Sequence, residues 1–375
     1  MTTPKPTTAL VSGASFAGLA TAYWLSKLGY QVTIVELAGA LRSGGAAVNI
    51  SGPALDCVRR MGLYEQLRAH ALRLAQWEFK DAADATVGRL ALQPAEGEAP
   101  ASEDIEIERH DLLDALRGAL PATVEWRFGS GITALAETAA GQEATFKDGT
   151  RRVFDLVVGC DGLHSGVRRL WFGHEAEYSR FLQHYFSLTI VPRLLLPPGT
   201  TQLYNVPGKV VMLNAYHGKT DIVFCFFSER EIPYDYRDAG QQHAIVQAQF
   251  GGLGWRTAAL LAEVQDAQTA YFDKFCQLVM PSWTKGRVAL VGDAGYCSSP
   301  ASGMGASLAL IGATALADAL AEHGGHHEAA FTHYNQSLRP FIEEVQATAL
   351  HMLNNFLIPG SEEAIEQRNA EPMPF

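Results

Sequence analysis

Short apolar runs recur along the chain, and each is followed by a glycine or an acidic residue. They cover residues 9–12, 32–35, 156–158 and 288–291. Apolar runs of this length, bounded by turn residues, are typical of strands buried on both faces of a parallel sheet. Because ligands bind at the carboxyl ends of such strands, the residues after each run are the first candidates for a binding site.

The middle of the chain has a different pattern. Between about residues 176 and 276, longer β-rich stretches alternate with turn residues, such as Pro-Gly at 207–208. This pattern favours an antiparallel sheet inserted into an α/β region. Residues 337–357 carry apolar positions at helical spacing, which predicts a long C-terminal helix that bridges the two halves.

Composition narrows the class of protein. The 375 residues are 47% hydrophobic and 18% charged, with a net charge of −11. Since the chain has no basic stripe, we expect no nucleic-acid partner. The N-terminus lacks the apolar run of a signal peptide, and no stretch reaches the ~18 uncharged apolar residues of a membrane span. We therefore expect a cytoplasmic protein without a membrane segment.

Cysteines and histidines give no sign of a metal centre. The five cysteines are odd in number and widely spaced, which argues against a disulfide scaffold or structural zinc. His323, His326 and His327 cluster near a predicted helix end, and we interpret them as a solvated feature of that end. The sequence predicts no metal ligand.

The first apolar run opens a glycine turn that is typical of dinucleotide binding. Gly13 permits a tight turn out of the strand, Gly18 lets the following helix lie close, and Ser15 stands where a glycine is usual. The hydroxyl of Ser15 could itself bond a phosphate at the positive helix N-terminus. Glu36 ends the next strand, where a carboxylate can accept hydrogen bonds from ribose hydroxyls.

Two later segments reveal a family resemblance. Residues 155–169 read DLVVGCDGLHSGVRR, and residues 286–320 begin GRVALVGDAGYCSSPASGMGAS. With the first glycine turn, they resemble the class A flavoprotein monooxygenases, the group that contains p-hydroxybenzoate hydroxylase and the tetracycline-inactivating oxygenases. The resemblance implies that the first motif binds the ADP part of FAD, that the second lies near the pyrophosphates, and that Asp293 contacts the ribityl chain.

Further cofactor contacts follow from the same resemblance. The segment RHDLLDALRGAL at 109–120 is similar to a family helix whose leading arginine approaches the flavin. A helix that begins near Met304 would point its positive end at the flavin N1–C2=O edge, where reduced flavin is anionic. The expected cofactor residues are Gly13, Ser15, Phe16, Ala17, Gly18, Glu36, Leu37, Arg42, Arg109, Asp161, Gly162, Gly292, Asp293, Pro300, Gly303, Met304, Gly305 and Ala306.

The resemblance also implies the fold class and the domain organisation. We expect an α/β protein with a Rossmann-like FAD domain, an inserted antiparallel β-rich substrate domain and a C-terminal helix. The expected FAD domain covers 1–75, 101–175 and 277–330. The substrate domain covers 76–100 and 176–276, and the bridging helix lies within 331–375.

The third motif departs from the family pattern in two places. The family often reads Gly-Asp-Ala-Ala-His, whereas this chain has Gly295-Tyr296 after Asp293-Ala294. Ala306-Ser307 stand where an asparagine often follows the last glycine. Both changes are compatible with FAD binding and indicate a divergent branch with altered packing beside the flavin.

The family chemistry implies the reaction. NADPH or NADH reduces the FAD, O₂ adds at flavin C4a, and the C4a-hydroperoxyflavin passes one oxygen atom to an organic substrate. No separate nicotinamide-binding unit is apparent in the sequence, so the nicotinamide would be a transient co-substrate. We expect no Ser–His–Asp arrangement and no metal, and the protein is expected to be a monomer or a homodimer.

The inserted sheet is expected to supply the substrate wall. Gln202 and Ile222 stand where the tetracycline oxygenases use Arg and His. The difference implies a more apolar substrate, of aromatic or polyketide-like type, with tetracycline itself an alternative. The expected substrate contacts are Gln202, Tyr204, Met212, Asn214 and Phe224.

Other functions remain open at this level. A flavin-dependent halogenase is disfavoured because the chain lacks a WxWxIP segment. A reductase related to geranylgeranyl reductase is a further alternative within the flavoproteins. A flavin-binding protein without turnover is a third hypothesis, which the altered Gly295-Tyr296 pair keeps open.

Overall fold

The computed structural model describes residues 7–41, 44–92, 102–266 and 270–371. The strands are β1 (Thr8–Ser12), β2 (Gln31–Glu36), β3 (Val48–Ile50), β4 (Gln76–Lys80), β5 (Thr86–Ala91), β6 (Ile105–Ile107), β7 (Glu125–Phe128), β8 (Ile132–Thr138), β9 (Gly141–Phe146), β10 (Arg151–Phe154), β11 (Leu156–Gly159), β12 (Ser179–Val191), β13 (Thr200–Val206), β14 (Lys209–Tyr216), β15 (Lys219–Phe227), β16 (Ala270–Leu278), β17 (Thr284–Lys285) and β18 (Val288–Leu290). The helices are α1 (Phe16–Lys27), α2 (Pro53–Arg60), α3 (Tyr64–Ala69), α4 (Arg109–Gly118), α5 (Gly166–Trp171), α6 (Ala239–Phe250), α7 (Thr257–Asp266), α8 (Asp293–Tyr296), α9 (Gly305–Glu322), α10 (His327–Met352) and α11 (Glu362–Ala370).

The chain divides into two compact units. The α/β unit comprises residues 1–71, 104–180 and 276–346. The β-rich unit comprises residues 72–103, 181–275 and 347–375. The mixed α/β fold class that the sequence predicted is confirmed.

A six-stranded sheet forms the centre of the α/β unit. Its strand order is β17-β18-β11-β1-β2-β7, and every neighbouring pair is parallel except β17–β18. The strands read as buried apolar runs are its inner members, and their side chains are almost fully buried. Because the inner strands run parallel, the carboxyl ends of β1, β11 and β18 lie at the same edge of the sheet.

Helix α9 is a core element of the α/β unit. Among the described residues, it alone is long and apolar enough to cross a membrane by length and composition, although it carries Asp318 and Glu322. Within the unit it packs against α1 and α2, and 72% of it is buried in the protein. Its apolar composition therefore fits the interior position that it occupies.

A seven-stranded sheet forms the β-rich unit, in the order β16-β12-β15-β14-β13-β4-β5. The antiparallel pairing predicted for the middle of the chain is confirmed for β12, β13, β14 and β15, while β13 and β4 are parallel. One face of this sheet, here called the helix face, forms a core with side chains of α6 and α7, including Phe250 and Leu260. The other face is called the opposite face.

The C-terminal region is helical, as its periodicity predicted, but it is longer and more complex. Helix α10 begins at His327, before the predicted start at residue 337, and continues past Pro340. A π-helical turn, Leu353–Leu357, follows it, and α11 is a separate helix. Within the β-rich unit, the buried guanidinium of Arg368 donates to Asn205 Oδ1 at 2.8 Å, which fixes α11 to β13.

Candidate cofactor-binding site

The turn after β1 requires its two glycines for steric reasons. Gly13 has a φ of +101°, and a Cβ there would lie 2.5 Å from the carbonyl oxygen of Cys160. A Cβ on Gly18 would lie 1.8 Å from the carbonyl oxygen of Gly13. The turn therefore brings the start of α1 against the loop that follows β11, with no space for a side chain at either position.

Ser15 connects these two loops. Its hydroxyl donates to the carbonyl oxygen of Cys160 at 2.9 Å and accepts from the amide of Gly18 at 3.4 Å, as the N-cap of α1. The sequence suggested that this hydroxyl could bond a phosphate. In the structure its proton is donated within the protein, to Cys160. The substitution of the usual glycine adds a contact between the first and second motifs.

Glu36 is fixed at the carboxyl end of β2. Its two carboxylate oxygens accept hydrogen bonds from the amides of Ala14 and Ala38, at 2.9 and 2.8 Å. Each carboxylate oxygen can accept more than one hydrogen bond. The arrangement therefore orients the carboxylate while leaving acceptor capacity for the hydroxyls of a ribose.

Asp161 shapes the loop between β11 and α5. Its carboxylate accepts from the Ser165 hydroxyl and, at 3.1 Å, from the amide of Val167. Burial raises the pKa of Asp161, and these hydrogen bonds oppose the rise. The carboxylate holds the start of α5 in place, and Gly162 beside it turns the chain with a φ of +80°.

Arg168, which the sequence analysis missed, links the second and third motifs. Its buried guanidinium donates to the carbonyl oxygen of Ala294 at 2.9 Å and lies 3.2 Å from a Glu175 carboxylate oxygen. Burial lowers the pKa of Arg168, while the charge of Glu175 opposes the fall. The sequence gave no indication that Arg168 is buried. It lies in the short helix α5, and two consecutive arginines after a valine are typical of a helix at the protein surface.

Gly292 is the point where the third motif meets the first. A Cβ at Gly292, whose φ is +69°, would lie 3.2 Å from the Cβ of Ala17 in α1 and 3.7 Å from Ala309 in α9. Close backbone approach therefore places α1, the loop after β18 and α9 side by side. Three segments that are remote in sequence converge at one edge of the sheet.

Asp293 and Arg109 form an electrostatic pair at this edge. Asp293 keeps solvent-accessible surface, yet enough protein surrounds it that desolvation raises the pKa of its carboxyl. Desolvation likewise lowers the pKa of Arg109, and in each case the charge of the other residue opposes the shift. The guanidinium lies 4.6 Å from the ring centre of Phe16. An accessible carboxylate with a raised pKa beside a specific charge partner is typical of a functional site.

The loop before α9 exposes a helix N-terminus. Pro300–Ser302 form a short 3₁₀ turn that ends at Gly303, whose φ is +64°. Met304 caps α9 without a side-chain hydrogen bond, and the first turn of α9 contains no acidic residue. At Gly305 a Cβ would meet open space. The first amides of an 18-residue helix are therefore placed to receive a negatively charged ligand.

The Gly295-Tyr296 departure is compensated by packing in the core. A Cβ at Gly295 would lie 3.3 Å from the indole ring of Trp283, so glycine makes room for that ring. The fully buried Tyr296 hydroxyl lies 3.0 Å from that of Tyr334 and occupies space that a Cβ on Gly312 would fill. The departure thus rebuilds the core behind Asp293, and Tyr296 itself has no exposed surface.

A cavity of about 490 Å³ opens at the first two motifs. This volume lies within the ~300–1,000 Å³ that small-molecule sites usually have. Of the predicted residues, Gly13, Ser15, Glu36, Leu37, Arg109, Asp161 and Gly162 line it. Residues that the sequence analysis missed also line it, including Ser130, Gly131, Ile132, Thr133, Lys147, His164 and Arg169. Arg42 lies outside the described residues.

These features fit FAD. The turn at Gly13 would be blocked by any Cβ, the N-terminus of α1 can receive a pyrophosphate, and Glu36 can accept from a ribose. Asp293 supplies a further accessible acceptor at the same sheet edge. The site offers backbone amides as donors for phosphates and carboxylates as acceptors for ribityl and ribose hydroxyls, as a dinucleotide requires.

The predicted substrate residues do not form one wall. Side chains alternate along a strand, and directly paired residues share a face. Gln202, Tyr204 and Phe224 lie on the helix face, where Phe224 is fully buried against Phe250. Met212 and Asn214 lie on the opposite face and are half-buried. The expectation that all five contact one ligand is wrong.

Ile222, expected to replace a tetracycline-binding side chain, is also on the helix face. It pairs with Leu213, which pairs with Gln202. Ile222 has no exposed surface and belongs to the core with α6 and α7. A displacement of one residue along a strand transfers every side chain to the other face, so a comparison of sequences alone does not specify the face on which a residue lies.

Comparison with known proteins decides the family. A family model described as the FAD binding domain matches residues 6–349. The chain belongs to the FAD-dependent monooxygenase family. A flavin-dependent monooxygenase from an unknown prokaryotic organism is 36% identical over 365 residues, covering 96% of this chain and 93% of the relative.

Solved structures share the fold of this chain. The tetracycline destructase Tet(55) superimposes with a TM-score of 0.86 at 35% identity, covering 98% of this chain and 95% of that chain. HpxO of Klebsiella pneumoniae, solved with FAD and uric acid, has a TM-score of 0.78 at 21% identity over 97% of this chain and 92% of that chain. The monooxygenase is a flavoenzyme that uses FAD, and NAD(P)H is the co-substrate typical of its class.

Proposed function

We propose that this monooxygenase hydroxylates an aromatic or polyketide-like small molecule, with FAD as cofactor, NAD(P)H as reductant and O₂ as oxidant. The observation that carries the proposal is the convergence of the loops after β1, β11 and β18 at one sheet edge. FAD, when bound, supplies the redox chemistry and the activation of O₂. The α/β unit would bind the cofactor and the β-rich unit would supply substrate contacts.

The residues of the α/β unit would orient the cofactor. Glu36 would accept from the ribose of the ADP part, and the α1 N-terminus after Gly13 would receive the pyrophosphate. Asp293 would accept from ribityl hydroxyls, which is consistent with its solvent-accessible carboxylate. The α9 N-terminus would stabilise negative charge at the flavin ring, because the helix dipole is positive there.

The opposite face of the β-rich sheet supports an apolar substrate. Met212 and Val223 are paired across β14 and β15, and both are half-buried. Leu188 pairs with Val223 and continues the row on β12. A half-buried apolar row on a sheet face favours contact with a flat apolar ligand. Asn214, on the same face, would provide a polar contact that orients it.

A tetracycline is the second candidate substrate. This candidate is favoured by the 35% identity between this chain and the tetracycline destructase Tet(55), which extends across nearly the whole chain. Tetracyclines are themselves polycyclic polyketide-type molecules with phenolic groups, so the same sheet face would serve. The two candidates differ in substrate identity and share one mechanism.

One assay separates these proposals. FAD-loaded protein is mixed with NADPH or NADH and a panel of phenols, polycyclic polyketides and tetracyclines, and nicotinamide oxidation is followed by its absorbance. We expect one chemical class to stimulate oxidation and to gain one oxygen atom from isotopically labelled O₂. Stimulated oxidation that yields only hydrogen peroxide with every compound would contradict hydroxylation within this panel.

We propose a cytoplasmic location for this protein. All five cysteines are buried free thiols, which supports a reducing cytoplasmic location. We propose a monomer or a homodimer. Light scattering of the purified FAD-loaded protein measures its mass directly, and a larger assembly would contradict the proposal.

A further inference from the structure

Three potential metal ligands converge at the C-terminal end of α9. The Nε2 atom of His323 lies 3.3 Å from the Nδ1 atom of His333. The Oε2 atom of Glu322 lies 3.3 Å from the same Nδ1 atom. One ligand atom from each residue lies within 4.8 Å of the other two. The group lies at the far end of α9 from the proposed flavin site.

The spacing of these atoms fits a tetrahedral cation. Zinc binds imidazole nitrogen and carboxylate oxygen at about 2.0–2.2 Å, which places neighbouring ligands of a tetrahedron about 3.3–3.6 Å apart. The distances from the Nδ1 atom of His333 to His323 Nε2 and to Glu322 Oε2, both 3.3 Å, lie at the lower end of this range. A single Nδ1–H cannot be directed well at two neighbours, so hydrogen bonding among Glu322, His323 and His333 does not account for the convergence of all three.

The backbone that carries the ligands is well defined. The Gly325 amide donates to the carbonyl oxygen of Leu320 at 2.8 Å, and the Gly324 amide donates to that of Ala321 at 3.1 Å. Both glycines have a positive φ, so this turn ends α9 in a fixed geometry. His323 is therefore held at the end of α9, where it faces His333 in the second turn of α10.

Local charge also favours a cation. The last turn of α9 contains Glu322 and no basic residue. The C-terminus of a helix carries partial negative charge, which a nearby cation stabilises. Imidazole and carboxylate together are ligands that suit zinc among the divalent cations available to a cell.

We propose that Glu322, His323 and His333 bind one Zn²⁺ ion, with water in the fourth position, and that the ion fastens the end of α9 to α10. The proposal differs from the sequence-based expectation that His323, His326 and His327 form a solvated feature and bind no metal. The sequence could not indicate the site, because His333 lies beyond the visible His323–His326–His327 group and meets His323 only in the folded chain.

The test uses untagged, FAD-loaded protein. Titration calorimetry with Zn²⁺ is expected to give one site, and Co²⁺ as a probe is expected to give the intense visible absorption of a tetrahedral complex. Since loss of even an indirect partner costs about 10–100-fold in metal affinity, His333→Ala and Glu322→Gln should each lower Zn²⁺ affinity at least about tenfold. His326→Ala is the matched control and should leave affinity unchanged.

Thermal unfolding gives an independent readout. Zn²⁺ should raise the Tm of the native protein and of His326→Ala, and should leave the Tm of His333→Ala nearly unchanged. The ligands lie at the surface, so the variants should keep the native circular dichroism, and Glu322→Gln serves if His333→Ala unfolds. Absence of Zn²⁺ binding, or affinity equal in all variants, would overturn the proposal.

Discussion

The two units present candidate residues in different ways. In the α/β unit, candidates follow the ends of parallel strands, as Gly13 follows β1 and Gly292 lies just beyond β18. In the β-rich unit, candidates lie along antiparallel strands, as Tyr204 and Met212 do. A strand end has one location, at the edge of the sheet, whereas a position along a strand faces one side or the other.

This difference indicates which substitutions should disturb the cofactor site of the α/β unit and which should disturb the faces of the β-rich sheet. The edge of the α/β sheet is built from backbone in close contact at Gly13, Gly18 and Gly292, so a Cβ added at one of these three positions disturbs it. The faces of the β-rich sheet are built from side chains, so a truncation acts on stability or on ligand binding according to the face. Substitutions can therefore break the two sites in distinguishable ways.

The largest expected effect is that of Gly18→Ala. Its Cβ would lie 1.8 Å from the Gly13 carbonyl oxygen, with only backbone in the way. We expect loss of bound FAD and of about 4 kcal/mol or more of unfolding free energy, since overpacking and backbone strain act together. The ratio of flavin to protein absorbance and urea unfolding measure these.

Gly29→Ala is the matched control for this change. Gly29 has a positive φ of +86° but open space around its Cβ position. It should cost only about 1–2 kcal/mol from backbone strain and keep full flavin occupancy. A Gly18→Ala protein that retains FAD as well as Gly29→Ala would show that the turn is not a cofactor contact.

The next effect distinguishes the faces of the β-rich sheet. Phe224 is fully buried, 4.8 Å from Phe250 between ring centres. Phe224→Ala should cost about 3–5 kcal/mol of unfolding free energy, with little change in KM for the folded fraction. Met212→Ala, on the half-buried opposite face, should cost about 1 kcal/mol and raise the KM of the substrate.

Urea unfolding and steady-state kinetics of both variants provide the measurement. If Phe224→Ala alters KM at native stability, or Met212→Ala destabilises as strongly as Phe224→Ala, the assignment of the faces is wrong.

Asp293→Asn should separate cofactor binding from stability. Removal of the charged acceptor should weaken FAD binding about 30-fold, or about 2 kcal/mol, as for other charged hydrogen bonds. The raised pKa means that the folded chain disfavours the carboxylate. The charge then destabilises the FAD-free protein at neutral pH, and this destabilisation disappears as the pH falls below the ordinary aspartate pKa.

FAD-free Asp293→Asn should therefore be more stable than the native chain at neutral pH, with the difference fading toward about pH 4. Fluorescence titration with FAD and thermal unfolding across pH check both parts. An FAD-free variant less stable than the native chain at neutral pH would show that Asp293 is stabilised by its partners.

The tyrosine pair behind Asp293 should give smaller effects. The Tyr334 hydroxyl is the donor both to the carbonyl oxygen of Leu290 and to the Tyr296 hydroxyl, each at 3.0 Å. Tyr334→Phe leaves two buried groups without this partner and should cost about 2 kcal/mol, whereas Tyr296→Phe should cost about 1 kcal/mol. Equal costs in urea unfolding would contradict this hydrogen-bond direction, and flavin occupancy should stay native in both.

Ser15→Gly should have the smallest effect. It restores the usual motif residue and removes one N-cap hydrogen bond and one contact to Cys160. We expect full FAD retention and a loss of at most about 1 kcal/mol, because glycine is a tolerated N-cap. Loss of flavin on purification would instead assign Ser15 to the phosphate.

The sequence predicted the α/β unit well for a physical reason. Buried parallel strands read as continuous apolar runs, and the glycines and acids after them mark strand ends that must share an edge. The parallel pairing of β1, β11 and β18 was therefore accessible before the structure. The contacts of Arg168 and the location of Lys147 in the cavity wall were not, because both depend on how the chain folds back and not on local pattern.

The β-rich unit shows where sequence reasoning stops. The antiparallel strands were predicted, but the face of each residue depends on register, and one residue of error reverses it. Gln202 and Phe224, for example, lie on the helix face, whereas Met212 and Asn214 lie on the opposite face. The packing of Gly295 against Trp283, and of Tyr296 over Gly312, is equally invisible in sequence because each pair is remote along the chain.

Hydrogen exchange with and without FAD tests the central claim most directly. If one flavin nucleotide binds where three loops converge, amides at 13–18, 161–167 and 303–308 should gain protection together, with the same dependence on FAD concentration. Protection of only one or two of these segments, or saturation at different FAD concentrations, would contradict a single site at this sheet edge.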